Sequence, residues 1–526
     1  MIRTDVLVIG CGIAGSTVAL KAADAGLQVI LITGTLDPNE CNTARAQGGI
    51  IYKGVNDSDV SLVQDIWIAG CQKGSRPAIE QLVKRGSQCV EDILIQRLKV
   101  PFDKSSDGSL DLTSEGGHGI PRIVHVSDTT GASIQNHFQE TLQKHPNIKF
   151  YTSCTAIDLL TSGHSSLDSE DIYNPQTCFG AYVFFQKSKK VEPIVANETV
   201  LATGGVGGLF LHTSNAENAR GDGIAMANRA GARIVNMEYI QFHPTGLYHP
   251  TLPRFLLSES LRGEGAVLIN HLGEPFMEKY HLSGNLAPRD VVARAIDDQM
   301  VQYQKQFVFL DITHKDSNWI RQRFPMITDL CKKYGYDLTK EPVPVVPLAH
   351  YSCGGVLVDL KGNSTIRNLR AVGEVSCTGI HGANRLASTS LLESLVWGAL
   401  AADDISAHWD KQLTPPAVAS WQYEKESQDL SLIHQDWQTL RNTLWNYVGP
   451  TRSYKRLQRA QAILRNLQME VENFYYQAEL SDELIGVRNG VEAALVILNG
   501  AIHNRTSVGC HYYKQKSDKR IGIDMG

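Results

Sequence analysis

The stretch that decides the fold is Asp5-Val-Leu-Val-Ile9-Gly10-Cys-Gly12-Ile-Ala-Gly15, at the start of the chain. Asp5 to Ile9 is a short β-branched apolar run, as a strand buried on both faces should be. Three glycines follow at once. Ser16 to Ala25 then reads as a helix with Val18, Ala19, Ala22 and Ala23 on one side, and Gly26 is placed to end it. Val29-Ile-Leu-Ile32 is a second strand. Strand, glycine turn, helix and strand within about 30 residues make a dinucleotide-binding unit. Gly10 makes the tight turn, Gly12 admits a pyrophosphate to the backbone, and Gly15 lets helix and strand pack closely. The helix start, with Cys11, Ile13 and Ala14, offers free N–H groups to phosphates.

Outward from this unit, the second strand ends at Thr33, where an acidic residue would bind the ribose diol of NAD. The threonine weakens the NAD reading and leaves FAD open. Val200-Leu-Ala-Thr-Gly-Gly205 is another apolar strand ending in glycines. From Asn236 to Tyr351 the composition changes, with several His, Arg and Pro and few alternating patterns, as in an inserted domain. Gly354-Gly-Val-Leu-Val358 reads as the return to the nucleotide domain, and Thr414-Pro-Pro416 as the next boundary. Beyond it the pattern is helical. Leu440, Leu444, Tyr447 and Val448 form one apolar face, and Leu457, Ala460, Leu464 and Leu467 another. The polar stretch from Ser162 to Gln176 reads as a surface loop.

Composition limits the function classes. The 526 residues (57.9 kDa) are 42% hydrophobic and 20% charged, enough for several cored domains at roughly 100–200 residues each. A net charge of −5 argues against a nucleic-acid surface. No unbroken apolar run reaches about 18 residues, so no membrane span is expected. Ten cysteines are scattered without a zinc spacing and without a signal peptide. They read as reduced thiols in a cytoplasm, with no metal.

Several polar, glycine-rich clusters carry the chemistry. They are Thr43-Ala-Arg-Ala-Gln-Gly-Gly49, Ser114-Glu-Gly-Gly-His118, Gln241-Phe-His-Pro-Thr-Gly246 and Leu261-Arg-Gly-Glu-Gly265. Ala287-Pro-Arg-Asp290, His350-Tyr-Ser-Cys-Gly-Gly355, Gly373-Glu-Val375 and His381-Gly-Ala-Asn-Arg-Leu-Ala-Ser-Thr-Ser-Leu-Leu-Glu393 complete the set. Together they describe one site lined by backbone amides, His and Arg.

On these motifs the chain resembles the flavoprotein family of succinate dehydrogenase, fumarate reductase and L-aspartate oxidase, from Val6 to about Gly398 with a helical tail to about His511. The resemblance implies an α/β fold. A Rossmann-like FAD-binding domain (1–235 and 352–415) would carry an inserted α+β capping domain (236–351) and a C-terminal helical domain (416–526). It implies four-carbon dicarboxylate substrates. Membrane-bound members carry a His that links FAD covalently; here that position is Asn42, so FAD should be non-covalent. Glu115 stands where dehydrogenases have an apolar residue and where aspartate oxidases have Glu. The His350 motif also matches the aspartate-oxidising branch. Thr506 and Val508 stand where many members have Glu and Arg, and no role is assigned to that segment.

The implied reaction is oxidation of L-aspartate to iminoaspartate by hydride transfer from Cα to flavin, with oxygen or fumarate as the second acceptor. Its place would be the first step of de novo NAD synthesis, before quinolinate synthase. A soluble fumarate reductase or succinate dehydrogenase subunit, and a non-catalytic FAD-binding protein, are the alternatives. Two carboxylates suit Arg forks, so Arg289 and Arg385 are expected to clamp them, helped by His243, His350 and Ser258; Glu264 is a further candidate of the substrate site. Arg289 is an acid/base or an electrostatic residue. Glu115 would accept the ammonium. FAD contacts implied by the resemblance are the Gly10–Gly15 turn, Thr33, Asn42, Thr43, Ala44, Gln47, Gly48, Gly49, Thr155, Ala156, Asp222, Glu374, Ser390 and Leu391.

Overall fold

The computed structural model describes residues 2–409, 417–419, 421 and 429–514. The Thr414-Pro-Pro416 boundary lies outside the described residues. In chain order, the first part contains β1 (Ile2–Ile9), α1 (Ile13–Asp24), β2 (Val29–Ile32), β3 (Ile148–Tyr151), β4 (Cys154–Thr161), β5 (Cys178–Phe185), β6 (Lys190–Leu201) and α2 (Asp222–Arg229). The middle contains β7 (Ile240–Leu247), β8 (Phe255–Leu256), β9 (Val267–Ile269), α3 (Arg289–Tyr303), β10 (Val308–Asp311) and β11 (Val343–Ser352). The last part contains β12 (Leu369–Ala371), α4 (Thr389–Ala407), α5 (Leu430–Val448), α6 (Tyr454–Gln477) and α7 (Asp482–His503).

A seven-stranded sheet runs β3-β2-β1-β6-β5-β4, with β12 also paired to β6. β3, β2, β1, β6 and β12 are mutually parallel, and β4 and β5 are added antiparallel at one side. Val6 to Ile9 are fully buried, which explains the absence of polar alternation in that run. After it, Gly10 sits at φ +111°, and a Cβ there would lie 2.1 Å from the Ala202 carbonyl oxygen. No other residue fits so close a turn. A Cβ on Gly15 would lie 2.0 Å from the Gly10 oxygen, so helix and strand touch through backbone. α1 begins at Ile13, three residues before the sequence reading placed it, because Gly12 takes the N-cap.

The inserted region folds as a five-stranded antiparallel sheet, β8-β7-β11-β10-β9, with α3 packed on it. β7 is buried along its whole length, and β11 at nine of ten residues. Strands covered on both faces do not alternate, so few strand patterns were visible there. This region has its own apolar core, from Leu247 to Val345, separate from the large core shared by the FAD-binding and helical parts.

One expectation is corrected. The stretch Gly354–Val358 does not rejoin the main sheet. Its strand Gly355–Leu357 pairs with Ile234–Val235 and Ser376–Cys377 in a small separate sheet. The return to the main sheet is β12. It was too short and too interrupted, with Arg370 in its middle, to read as a strand. The helical faces are as expected: Leu440, Leu444 and Val448 in α5 and Leu457, Ala460, Leu464 and Leu467 in α6 are buried. Among the described residues one helix, α7, is long and apolar enough to cross a membrane, with mean hydropathy 1.3. Its window is 72% buried against α2, α5 and α6, the character of a core helix.

Candidate functional site

A cleft of about 960 Å³ opens at the C-terminal ends of β1, β2 and β6 and runs beneath the inserted domain. Ligands in open α/β sheets bind at this edge. One end is lined by Gly10 to Ala14, Thr33, Asn42 and Thr43, and by Gln47 to Gly49. α1 starts there with no side-chain cap on Gly12, and the Ile13 N–H donates to Thr43 Oγ1 at 3.0 Å. A helix N-terminus met by glycine backbone is built for a phosphate pair, so the chain fits a dinucleotide here.

Asn42 and Glu374 lie further along. The Asn42 amide donates through Nδ2 to Glu374 Oε2 at 3.2 Å, and its Oδ1 accepts from the Ala216 N–H at 2.9 Å. Both halves of the amide are engaged, and neither is a nucleophile. Glu374 also accepts from the Ser352 N–H at 3.0 Å. Burial pushes its carboxyl up to about 7, so it is half protonated near neutrality. Hydroxyl donors from a ribose or ribityl chain are the partners such a carboxylate lacks.

The far end is polar and cationic, where the inserted domain meets the nucleotide domain. His243 comes from β7, where the register slips on both sides of Phe242–His243. Pro244 contributes to the second slip because it cannot donate to the ladder. His350 comes from β11, and the two rings lie 5.5 Å apart. Burial, then Arg289, holds the His243 ring well below the usual histidine range; burial, then Arg385, does the same to His350. Both are neutral donors or acceptors at pH 7. The Thr245 N–H donates to His243 Nδ1 at 3.3 Å, which leaves Nε2 as the N–H of that ring. His350 Nδ1 shares a 2.7 Å hydrogen bond with Ser214 Oγ.

Arg289 is the first residue of α3, where the helix dipole disfavours a cation. Its Nε donates to Glu259 Oε2 at 2.7 Å. Burial works against its charge, yet Glu259 and Glu115 hold it above the usual arginine value. Arg385 is 7% exposed. Its Nε donates to Gln241 Oε1 at 3.3 Å and its Nη1 to Ser390 Oγ at 3.0 Å, and its Cζ lies 4.8 Å from the centre of the Tyr351 ring. Among the described residues these hydrogen-bond partners are neutral, and no carboxylate is in ion-pair contact. Burial, then Arg289, lowers its pKa. Glu115 is anchored by Ser388 Oγ, which donates to Oε2 at 2.6 Å. Its Oε1 lies against Gly48, 2.3 Å from where a Cβ would stand. Ser258, Ser390 and Leu391 also line the cleft.

Gly15, which packs helix against strand, and five other expected residues lie outside this cleft lining. Glu264 pairs with Arg323 on the exposed rim at 3.0 Å. Asp222 accepts from Arg220 at 3.0 Å and from Asn489 at 2.9 Å. Thr155 donates to Asp482 at 2.5 Å, and its neighbour Ala156 is buried in β4. Ala44 is not part of the lining, although Thr43 and Arg45 on either side of it are. For Glu264, Asp222 and Thr155 the partner is not readable from a motif. Conversely, Glu259, Arg262, Gln241 and Tyr351 belong to the site and were missed as individuals. Arg262 is fully buried, 3.8 Å from Glu259, and two of its nitrogens lack partners. The signal was present: Glu259 and Arg262 are one helical turn apart, inside the quoted arginine cluster or beside it.

Comparison with known proteins agrees with this geometry. Residues 5–391 match the family described as FAD binding domain. L-aspartate oxidase 1 of Ralstonia nicotianae is 41% identical, covering 99% of this chain and 97% of that protein. L-aspartate oxidase of Yersinia pestis is also 41% identical, over 97% of this chain and 95% of that protein. The chloroplastic L-aspartate oxidase 2-b of Nicotiana tabacum is 37% identical, over 97% of this chain and 80% of its own. Among solved structures, an E. coli quinol fumarate reductase superposes with a TM-score of 0.87 at 24% identity, covering 100% of this chain and 93% of that one. That likeness concerns the fold alone.

Proposed function

The chain belongs to the L-aspartate oxidases, within the family sharing this FAD binding domain, and from that membership we propose how its residues oxidise L-aspartate to iminoaspartate. The observation that carries the reading is Arg385: a buried guanidinium whose hydrogen-bond partners are neutral. A buried unpaired charge is costly, and a substrate carboxylate removes that cost with a fork-shaped, charge-assisted contact. Arg289 and Arg385 line the substrate end with Glu115 and Glu259, and buried Arg262 stands 3.8 Å from Glu259, so three guanidinium groups meet two carboxylates there. L-Aspartate, with two carboxylates and one ammonium, brings a net charge of −1 and balances the set.

FAD, bound non-covalently, supplies the two-electron redox chemistry. The chain's residues do the rest. Arg385 and Arg289 bind and orient the two carboxylates, with neutral His243 Nε2–H and His350 as further donors. Glu115 receives the ammonium. Arg289, held as a cation by Glu259, acts by electrostatics. Glu259 sits between Arg289 and Arg262 and keeps both charged. The capping sheet closes over the cleft and excludes water, which strengthens each of these contacts.

Oxygen or fumarate serves as the second acceptor, and iminoaspartate passes to quinolinate synthase in NAD synthesis. The ten cysteines are free thiols, which fits the reducing cytoplasm. The direct test is hydrogen peroxide formation. L-Aspartate should give one peroxide per substrate oxidised, while succinate with an artificial acceptor should be turned over far more slowly. Succinate oxidation outpacing that of L-aspartate would reverse the reading and favour a dehydrogenase subunit.

A further inference from the structure

The end of the described chain makes a hook, residues 508–513, after α7. We propose that this hook is a positioning element of the substrate site: by gripping the turn 381–385 from behind, it sets the guanidinium of Arg385. The inference rests on Arg385 being the carboxylate clamp.

The contacts form a continuous path. The Cys510 N–H donates to the Ala383 carbonyl at 2.9 Å. Cys510 Sγ donates to Asn384 Oδ1 at 3.1 Å. The same Asn384 Oδ1 accepts from Gln241 Nε2 at 2.7 Å. Gln241 Nε2 also donates to the Arg385 carbonyl at 2.9 Å, while its Oε1 accepts from Arg385 Nε. Thus two hydrogen-bonded side chains, Asn384 and Gln241, connect the hook to the guanidinium. Gln241 is fully buried and cannot replace a lost partner with water. At Gly509, φ is +53°, and a Cβ would lie 2.4 Å from the Ala383 oxygen. Hook and turn therefore touch through backbone, without side chains to absorb a shift.

The hook is itself held rigidly. His511 Nδ1 meets Arg452 Nη1 at 2.7 Å, and its Nε2 meets the Asn504 carbonyl at 2.8 Å. The Arg452 N–H donates to the Tyr512 carbonyl at 3.1 Å, and the Lys514 N–H to the Arg452 carbonyl at 2.8 Å. Both Arg452 and His511 are fully buried. The hook also reaches the helix that begins with the other arginine. Arg294 of α3 donates to the Gly509 carbonyl at 3.3 Å and stacks over Tyr512, 5.0 Å from its ring centre. Arg294 also pairs with Asp290, next to Arg289, at 2.8 Å. One short segment thus touches the supports of both guanidinium groups. It gives the helical domain a part in substrate binding, although α5, α6 and α7 line none of the cleft.

The test uses the full-length holoenzyme and succinate as a binding probe. Gly509→Ala forces the Ala383 carbonyl to move, and a shift of about 1 Å in a binding group can cost two orders of magnitude. The expected result is a succinate Kd and an L-aspartate KM raised about tenfold or more. Tm should fall, because Ala is strained at φ +53° against a backbone oxygen, while FAD content and the rate at which oxygen reoxidises chemically reduced enzyme should stay near wild type. A merely structural role would lower FAD content and the reoxidation rate together with binding. Should Gly509→Ala fail to fold, Cys510→Ala is the second variant: it should weaken succinate binding, and Cys510→Ser, which keeps a donor, should restore it. Arg385→Leu is run alongside. If Arg385→Leu loses succinate while Gly509→Ala or Cys510→Ala binds it within twofold of wild type, the hook inference alone is overturned. If Arg385→Leu still binds succinate normally, the clamp reading fails and takes the inference with it.

Discussion

Replacing Glu115 by Gln isolates the choice of an amino acid over a plain dicarboxylate. The substitution keeps volume and the hydrogen bond from Ser388 Oγ, which the Gln carbonyl oxygen can accept in place of Oε2. What disappears is one negative charge at the pocket. The contact to the substrate ammonium becomes charge–neutral, a loss of about 1.5–3 kcal/mol. That lowers kcat/KM for L-aspartate roughly 10- to 150-fold. Succinate and fumarate have no ammonium and lose nothing by this route. They gain, because Glu115 is among the charges that offset Arg289 and Arg385. The assay compares peroxide formation from L-aspartate with dye-driven fumarate reduction, on enzyme of equal FAD content. Aspartate activity should fall while fumarate reduction changes by less than about threefold, and succinate should inhibit more strongly. Equal losses on both substrates would refute the reasoning and make Glu115 a support for the loop around Gly48.

Acid precipitation should release all the flavin as FAD, since Asn42 is an amide engaged by Glu374 and Ala216; colour retained on the pellet would contradict this. Glu374, pushed up to about 7 by burial, should make FAD affinity rise as pH passes upward through about 7 and then level off, because the ionised carboxylate accepts hydroxyl donors more strongly than the protonated one. Glu374→Gln should flatten that profile, as followed by flavin fluorescence on titration. Burial, then Arg452, lowers His511 to about 4. Its folded pKa is depressed, so the stability it contributes is present above about 6.5 and is lost as pH falls toward 4. Between pH 7 and 5 that amounts to about 2 kcal/mol. His511→Gln, compared with wild type by urea unfolding at both pH values, should show a smaller loss on acidification.

The nucleotide half was legible because its physics is local. A buried strand, a turn only glycine can make and a helix start occupy eleven consecutive residues, and the pattern from Asp5 to Gly15 fixes them together. The inserted sheet was harder to read, since β7 and β11 are covered on both faces and lose the alternation that marks a strand. At the site, residues inside dense polar motifs (Asn42, His243, His350, Arg385) lie where those motifs converge. Glu264 sits in an equally convincing motif, but the fold supplies it with Arg323; Asp222, expected only from the resemblance, is engaged by Arg220 two residues before it. Glu259 and Gln241 show the converse. Their importance comes from what they touch, Arg289 and Arg385, and a spacing along the chain does not reveal that contact. The hook at 508–513 was the least visible part. It acts through the backbone carbonyl of a distant turn, at Ala383, and no spacing along the chain reveals that contact.

The most direct test of the central claim is anaerobic reduction of the bound flavin in a stopped-flow cell, with L-aspartate and succinate mixed separately at equal concentration. L-Aspartate should bleach the flavin within its turnover time, with one iminoaspartate formed per FAD, and succinate should leave most of the colour in place over the same period. Rapid bleaching by succinate with none by L-aspartate would contradict the assignment of this cleft to an amino-acid substrate.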